Sequence, residues 1–185
     1  MDEHSPVETV ETILDVDQIL LYNRNVFLSG LIDDEKADKI NKQLLALSII
    51  DNTPIALWIN SPGGDIFAGL AIIDMMLGLR CPVYTFINGV ACSMAAIISI
   101  AGKQRVITTN SRWMIHDGFS AMDDYFSKLE DQIQCLRDVN KQINNHIKKY
   151  TKLTIAEIEN SKKGELWLNA KQCKQKGIVD VIAKV

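Results

Sequence analysis

The chain has 185 residues, 47% of them apolar and 23% charged, with a net charge of −3. That length and balance fit one globular domain able to bury a core, and they exclude a polybasic surface for nucleic acid or for an anionic membrane. The longest apolar run, residues 90–101, is interrupted by Ser93 and Ser99 and is too short to span a bilayer.

The acidic N-terminus (Asp2, Glu3, Glu8, Glu11) does not read as a signal peptide. Residues 1–16 lack clear periodicity and read as a flexible arm, with a single domain over 17–185. Asn25 to Ser29, closed by Gly30, is a strand pattern. Asp33 or Asp34 can cap a helix that aligns Ala37, Ile40, Leu44 and Leu47 on one face. Pro54 to Asn60 is apolar enough to be a strand covered on both faces. After the turn Ser61-Pro62-Gly63-Gly64-Asp65 comes a helix whose apolar face is read as Ile66, Leu70, Ile73 and Leu77. Val83 to Ile87 forms the next strand. It runs through Gly89-Val90-Ala91-Cys92 to Ser93, which opens an apolar helix. Two short strands follow, Arg105–Thr108 and Arg112–Ile115. This alternation predicts an α/β fold with a parallel sheet and right-handed crossovers.

From about 123 to 150 the period changes. Phe126, Leu129, Ile133, Leu136, Ile143, Ile147 and Tyr150 recur at threes and fours, with Asn140 out of step, as in one long amphipathic helix. Such a stripe can lie wholly on its own domain or pack partly on another subunit. Thr154 and Glu157 have capping-box spacing. Four scattered cysteines (Cys81, Cys92, Cys135, Cys173) with no C-x-x-C pair suit reduced thiols in the cytoplasm, and neither a metal site nor a disulfide is expected.

Ser93 is the candidate nucleophile, because small neighbours admit a substrate backbone and a helix start offers unpaired N–H groups to negative charge. His116 is the candidate base, since His4 falls in the arm and His146 on the polar face of the long helix. A core histidine bonded to a carbonyl remains the plainer alternative for His116. Gly63 and Gly64, between a strand end and a helix start, permit positive φ and close approach of a carbonyl.

Taken in order, Asn60-Ser61-Pro62-Gly63-Gly64, Gly89-Val90-Ala91-Cys92-Ser93-Met94, and Asn110-Ser111-Arg112-Trp113-Met114-Ile115-His116 resemble the ClpP family, the proteolytic subunits of Clp proteases. The likeness runs from about Asn25 to Ile182 and closes on Gly177-Ile178-Val179-Asp180. It implies a ClpP/crotonase-like fold of repeated β-β-α units with a protruding handle helix, here about 123–150. By resemblance, Ser93 is the nucleophile, His116 the base, and the N–H groups of Gly64 and Met94 the oxyanion hole. Gly63 and Ile66 belong to the edge that receives an extended substrate. The family needs no metal or organic cofactor; ATP is used by a hexameric AAA+ partner that feeds unfolded polypeptide. Two heptameric rings forming a tetradecamer are implied, as a homo-oligomer or as mixed rings with a paralogue, without nucleic acid or membrane.

The chain departs from the family at the third triad member, where an aspartate is usual. Counting back from Gly177 places Glu165 there, one methylene longer. Asp117, beside the base, is a poor orienter unless its strand has ended. Lys163 and Gly164 replace residues that serve ring–ring contact, and Cys92 replaces an alanine. Two other readings follow. One is a weakly active or non-catalytic ring subunit working beside an active paralogue. The other is a crotonase-like acyl-CoA enzyme, which would use the oxyanion donors without a nucleophilic serine.

Overall fold

The computed structural model describes residues 15–118 and 126–184, side chains of Phe126, Ser127 and Leu129 excepted. Residues 1–14 of the expected arm over 1–16, and the post-histidine segment 119–125 with the first residues of the expected handle, lie outside that description. Asp15 already caps helix α1 (Val16–Tyr22) through a capping box with Gln18.

Five parallel strands form the main sheet: β1 (Asn25–Ser29), β2 (Ile55–Ser61), β3 (Val83–Cys92), β4 (Gln104–Thr108) and β7 (Val181–Ala183), in that spatial order. β3 is long enough to change partners. Its first half pairs with β4, and its last residues, Val90 to Cys92, pair in parallel with β5 (Arg112–Ile115). β6 (Leu166–Asn169) then adds antiparallel to β5. The intervening helices are α2 (Asp34–Ile50), α3 (Ile66–Gly78), α4 (Met94–Ser99), α5 (Phe126–Tyr150), α6 (Ile155–Ser161) and α7 (Ala170–Gln175). Among the described residues no helix is long and apolar enough to cross a membrane.

Local rules explain much of this. Asp33 caps α2 by accepting from Lys36 N, and Ala37, Ile40, Leu44 and Leu47 are its buried face. Thr154 and Glu157 form the expected capping box at α6.

Tertiary packing changes three expectations. β2 is not covered on both faces. Its burial alternates, and on the uncovered side Trp58 stacks between Phe27 and Phe86, with ring centroids 6.3 and 4.6 Å apart. The buried face of α3 is Ala68, Gly69, Ile72, Ile73 and Met76, whereas Leu77 is exposed. The small residue is the contact: a Cβ on Gly69 would come 2.2 Å from the Met94 side chain, so glycine lets α3 approach α4. His146 is also not on a solvated face. It is half-buried, tilted on the Tyr150 ring at 4.5 Å, and its Nε2 has no partner among the described residues.

α5 spans 25 residues, roughly 37 Å at 1.5 Å per residue. Its buried residues, Val139 and Ile147, lie toward the C-terminal end, while Ile133 is 42% exposed. The helix therefore docks by one end, and its apolar stripe is not wholly buried on its own domain.

Candidate active site

β3 delivers Ser93 from the middle of the sheet. Cys92 pairs with Met114, and Ser93 N donates to Met114 O at 2.8 Å. The strand-to-helix turn is sharp: Ser93 has φ 53° and ψ −125°, a region that costs a non-glycine residue roughly 1–3 kcal/mol. Ser93 stands at the cap position of α4 but its side chain makes no capping bond. The hydroxyl is thus not committed to the helix, as a nucleophile requires.

The strain is held by the surrounding core. All of α4 from Met94 to Ser99 is buried. Trp113, fully buried on β5, donates its indole N–H to Ala96 O and Ser99 Oγ, both at 3.2 Å. That contact ties the strand leading to His116 to the helix that follows Ser93.

Gly63 packs directly against the nucleophile turn. A Cβ there would fall 2.7 Å from both Cys92 O and Ser93 Cβ, and its φ of +99° already excludes most side chains. Ser61 sets this turn, its hydroxyl donating to Gly30 O at 2.6 Å and accepting from Gly63 N at 3.1 Å. Gly64 bridges to Ile32, with Ile32 N bonded to Gly63 O and Asp65 N to Ile32 O. The N–H groups of Gly64 and Met94 meet no acceptor among the described residues, so both remain available at the turn beside Ser93. Ile66 is the first residue of α3, after the Asp65 cap. It supplies a side chain to the site, not a strand edge.

β5 ends at Ile115, so His116 and Asp117 lie beyond it, exposed. With Ser93, Met94 and Ile66 they line one cleft, open to solvent, whose far wall is Leu136, Val139 and Ile143 of α5. Asp117 Oδ1 accepts from Gly118 N at 3.1 Å. Glu165 reaches the same neighbourhood from the other side. The antiparallel register ends at Ile115 opposite Leu166, and His116 and Glu165 are the next residues beyond those paired ends. The carboxylate accepts from Trp167 Nε1 at 2.6 Å. Among the described residues no hydrogen bond or ion pair joins Ser93, His116 and Glu165.

Cys92 is buried, and that burial, with a smaller contribution from the Glu165 carboxylate, pushes its thiol up. It is a packing residue, not a thiolate. Asp180 belongs to structure as well. Arg105 grips it through Nε at 3.0 Å and Nη2 at 2.7 Å, which holds its carboxyl below the usual range. Among the described residues no cluster of histidine, cysteine and carboxylate could hold a metal. Nothing in the amino-acid pattern signals the Ser93 strain, the Ile32 bridge or the Trp167 bond, since each arises only from tertiary register.

A hydroxyl at a strained strand-to-helix turn, a histidine in the same cleft and free backbone donors at the turn define a serine-hydrolase type of site on an α/β sheet. The Clp protease family model matches residues 8–185. The chain is 37% identical to an ATP-dependent Clp protease proteolytic subunit of Cyanophora paradoxa, over 88% of this chain and 86% of that protein. It is 34% identical to an ATP-dependent Clp protease proteolytic subunit 2 of Treponema denticola, over 90% and 85%. A proteolytic subunit of Porphyromonas gingivalis is 33% identical over 91% and 78%. The chain belongs to the Clp protease family.

Proposed function

We propose that this chain is a serine endopeptidase, the proteolytic subunit of an ATP-dependent Clp protease. The observation that carries the reading is the uncommitted Ser93 hydroxyl, at a strained turn bonded to the strand that leads to His116. Ser93 Oγ attacks the peptide carbonyl while His116 accepts its proton. The Gly64 and Met94 N–H groups receive the oxyanion, and His116 then protonates the leaving amine. Water attacks the resulting acyl-enzyme by the same route in reverse. Glu165, like His116 one residue beyond the paired strand ends, is the orienting carboxylate. Gly63 and Ile66 border the bound peptide.

This chemistry uses no cofactor. ATP is spent by an AAA+ partner that supplies unfolded polypeptide. The half-docked α5, with Ile133 exposed, supports assembly through this helix into heptameric rings and a tetradecamer. The cytoplasm is the compartment that suits reduced cysteines. The non-catalytic alternative is not favoured, because relatives across the chain are named proteolytic subunits and the serine and histidine share one cleft.

Ser93→Ala tests the reading. Hydrolysis of a small fluorogenic peptide should fall by at least about a thousandfold, and fluorophosphonate labelling should vanish. Retained hydrolysis or labelling in the pure variant would overturn it.

A further inference from the structure

We infer that Trp167 is a positioning residue, whose indole N–H restrains the long Glu165 side chain so that its carboxylate is presented to His116. The inference rests on the proposed peptidase reading. Its starting point is length. Glutamate carries one more rotatable bond than aspartate, and a triad orienter gains its effect from fixed geometry. A longer carboxylate at the same backbone position needs an added restraint.

The strand supplies one. Glu165 immediately precedes β6, and its side chain meets that of Trp167 two residues on. Trp167 pairs with Met114, and Glu165 and His116 each lie one residue beyond the terminal Ile115–Leu166 pair. From there the indole Nε1 donates to Glu165 Oε2 at 2.6 Å, a short charge-assisted bond. It occupies Oε2 and leaves Oε1 without a hydrogen-bond partner among the described residues. Trp167 itself is 46% exposed, far less buried than a structural tryptophan such as Trp113. Its exposed ring contributes little to the core, so the bond is the residue's distinctive contact. The carboxylate also acts electrically on Cys92, the residue before the nucleophile.

Trp167→Phe removes the donor and keeps an aromatic ring. It should be compared with wild type in both the native background and a Glu165→Asp background, by peptide hydrolysis normalised to fluorophosphonate-titrated sites. In the native background kcat should fall about tenfold with KM little changed. In the Glu165→Asp background, where the shorter side chain lacks the extra torsion, the same change should cost less than about twofold. Equal losses in both backgrounds would show a merely structural role and overturn the inference. Unchanged or increased activity in Trp167→Phe would overturn it too, the latter by showing that the indole withholds the carboxylate. Wild-type protein that takes no fluorophosphonate label would instead bring down the peptidase reading itself.

Discussion

Ser93 and the His116–Glu165 pair occupy opposite kinds of ground. The serine is delivered by β3, the strand that pairs with β2, β4 and β5, and the helix that follows it is buried throughout. Trp113, Gly63 and Gly69 crowd that turn and its helix from three sides. The histidine and glutamate lie just past the ends of β5 and β6, at the margin of the sheet, and both are exposed. The nucleophile half is fixed by core packing, which can hold an unfavourable φ in place. The base half is fixed by a few hydrogen bonds, and its geometry can respond to substrate or to neighbouring subunits. In the proposed mechanism, His116 must come within reach of the Ser93 hydroxyl.

The largest effect should come from disturbing the rigid half. Gly64→Ala would place a Cβ 2.1 Å from Ile32 O, at a φ of +152°. Backbone must move, and the N–H offered to an oxyanion moves with it. A displacement near 1 Å can cost on the order of a hundredfold in rate. We expect kcat/KM for a peptide to fall by at least about a hundredfold while Ser93 still reacts slowly with fluorophosphonate. Near-normal turnover would mean that the turn is far softer than its packing implies.

Next comes the carboxylate. Glu165→Gln keeps the side-chain length and can still accept from Trp167, but it removes the charge. Loss of a triad carboxylate's charge commonly costs on the order of a hundredfold or more, and we expect roughly a hundredfold here. A loss below about threefold would shift the orienting role to another group, with Asp117 the nearest acid beyond the strand end.

What could be read from the chain divides along the same line. The buried face of α2 and the α6 capping box were legible because they depend on spacing within one element. The order of Gly64, Ser93 and His116 was legible from the motifs around them. Their meeting was not, since it requires Cys92 to register with Met114, about twenty residues away in sequence. The face of α3 was misread because hydrophobicity favours Leu77, whereas close helix approach selected Gly69. The expected double coverage of β2 failed for a similar reason: an apolar strand also suits a sheet with one stacked aromatic face. The Glu165–Trp167 bond depends on the pleat of a strand only four residues long, a signal too short to stand out.

His146 gives a smaller, pH-dependent test of how α5 is seated. Burial, assisted by Lys149, pulls its pKa below the ordinary 6.5. The imidazole is therefore neutral in the fold and takes up a proton more readily when unfolded. Stability from this group is complete above 6.5 and is lost as pH falls from 6.5 toward the lowered folded value. His146→Gln should flatten the slope of urea stability between those limits. An unchanged slope would assign that pH dependence to another group.

The smallest effect should appear at Glu157, whose helix α6 leads to Glu165 and then β6. Glu157 Oε2 accepts from Thr154 N at 2.9 Å to complete the capping box, while Oε1 meets Lys176 Nζ at 2.5 Å. These bonds, the Lys176 contact first, lower its pKa from 4.5 to about 2. A depressed carboxylate contributes its stability above the unfolded value and loses it as pH falls through the folded one, here between 4.5 and about 2. Glu157→Gln can still serve the capping box but cannot pair with Lys176, so it isolates the charge. With the side chain 28% exposed, the expected loss near neutrality is only about 1 kcal/mol after solvent screening. The difference from wild type should shrink as pH falls from 4.5 toward 2. Hydrogen exchange locates the effect. Amides of β6 should open faster in the variant while those of α4 stay protected, because the ion pair braces the margin that carries Glu165 and not the buried turn at Ser93. Equal acceleration in both would mean that the two halves unfold as one cooperative unit, and that the contrast between them is one of exposure alone.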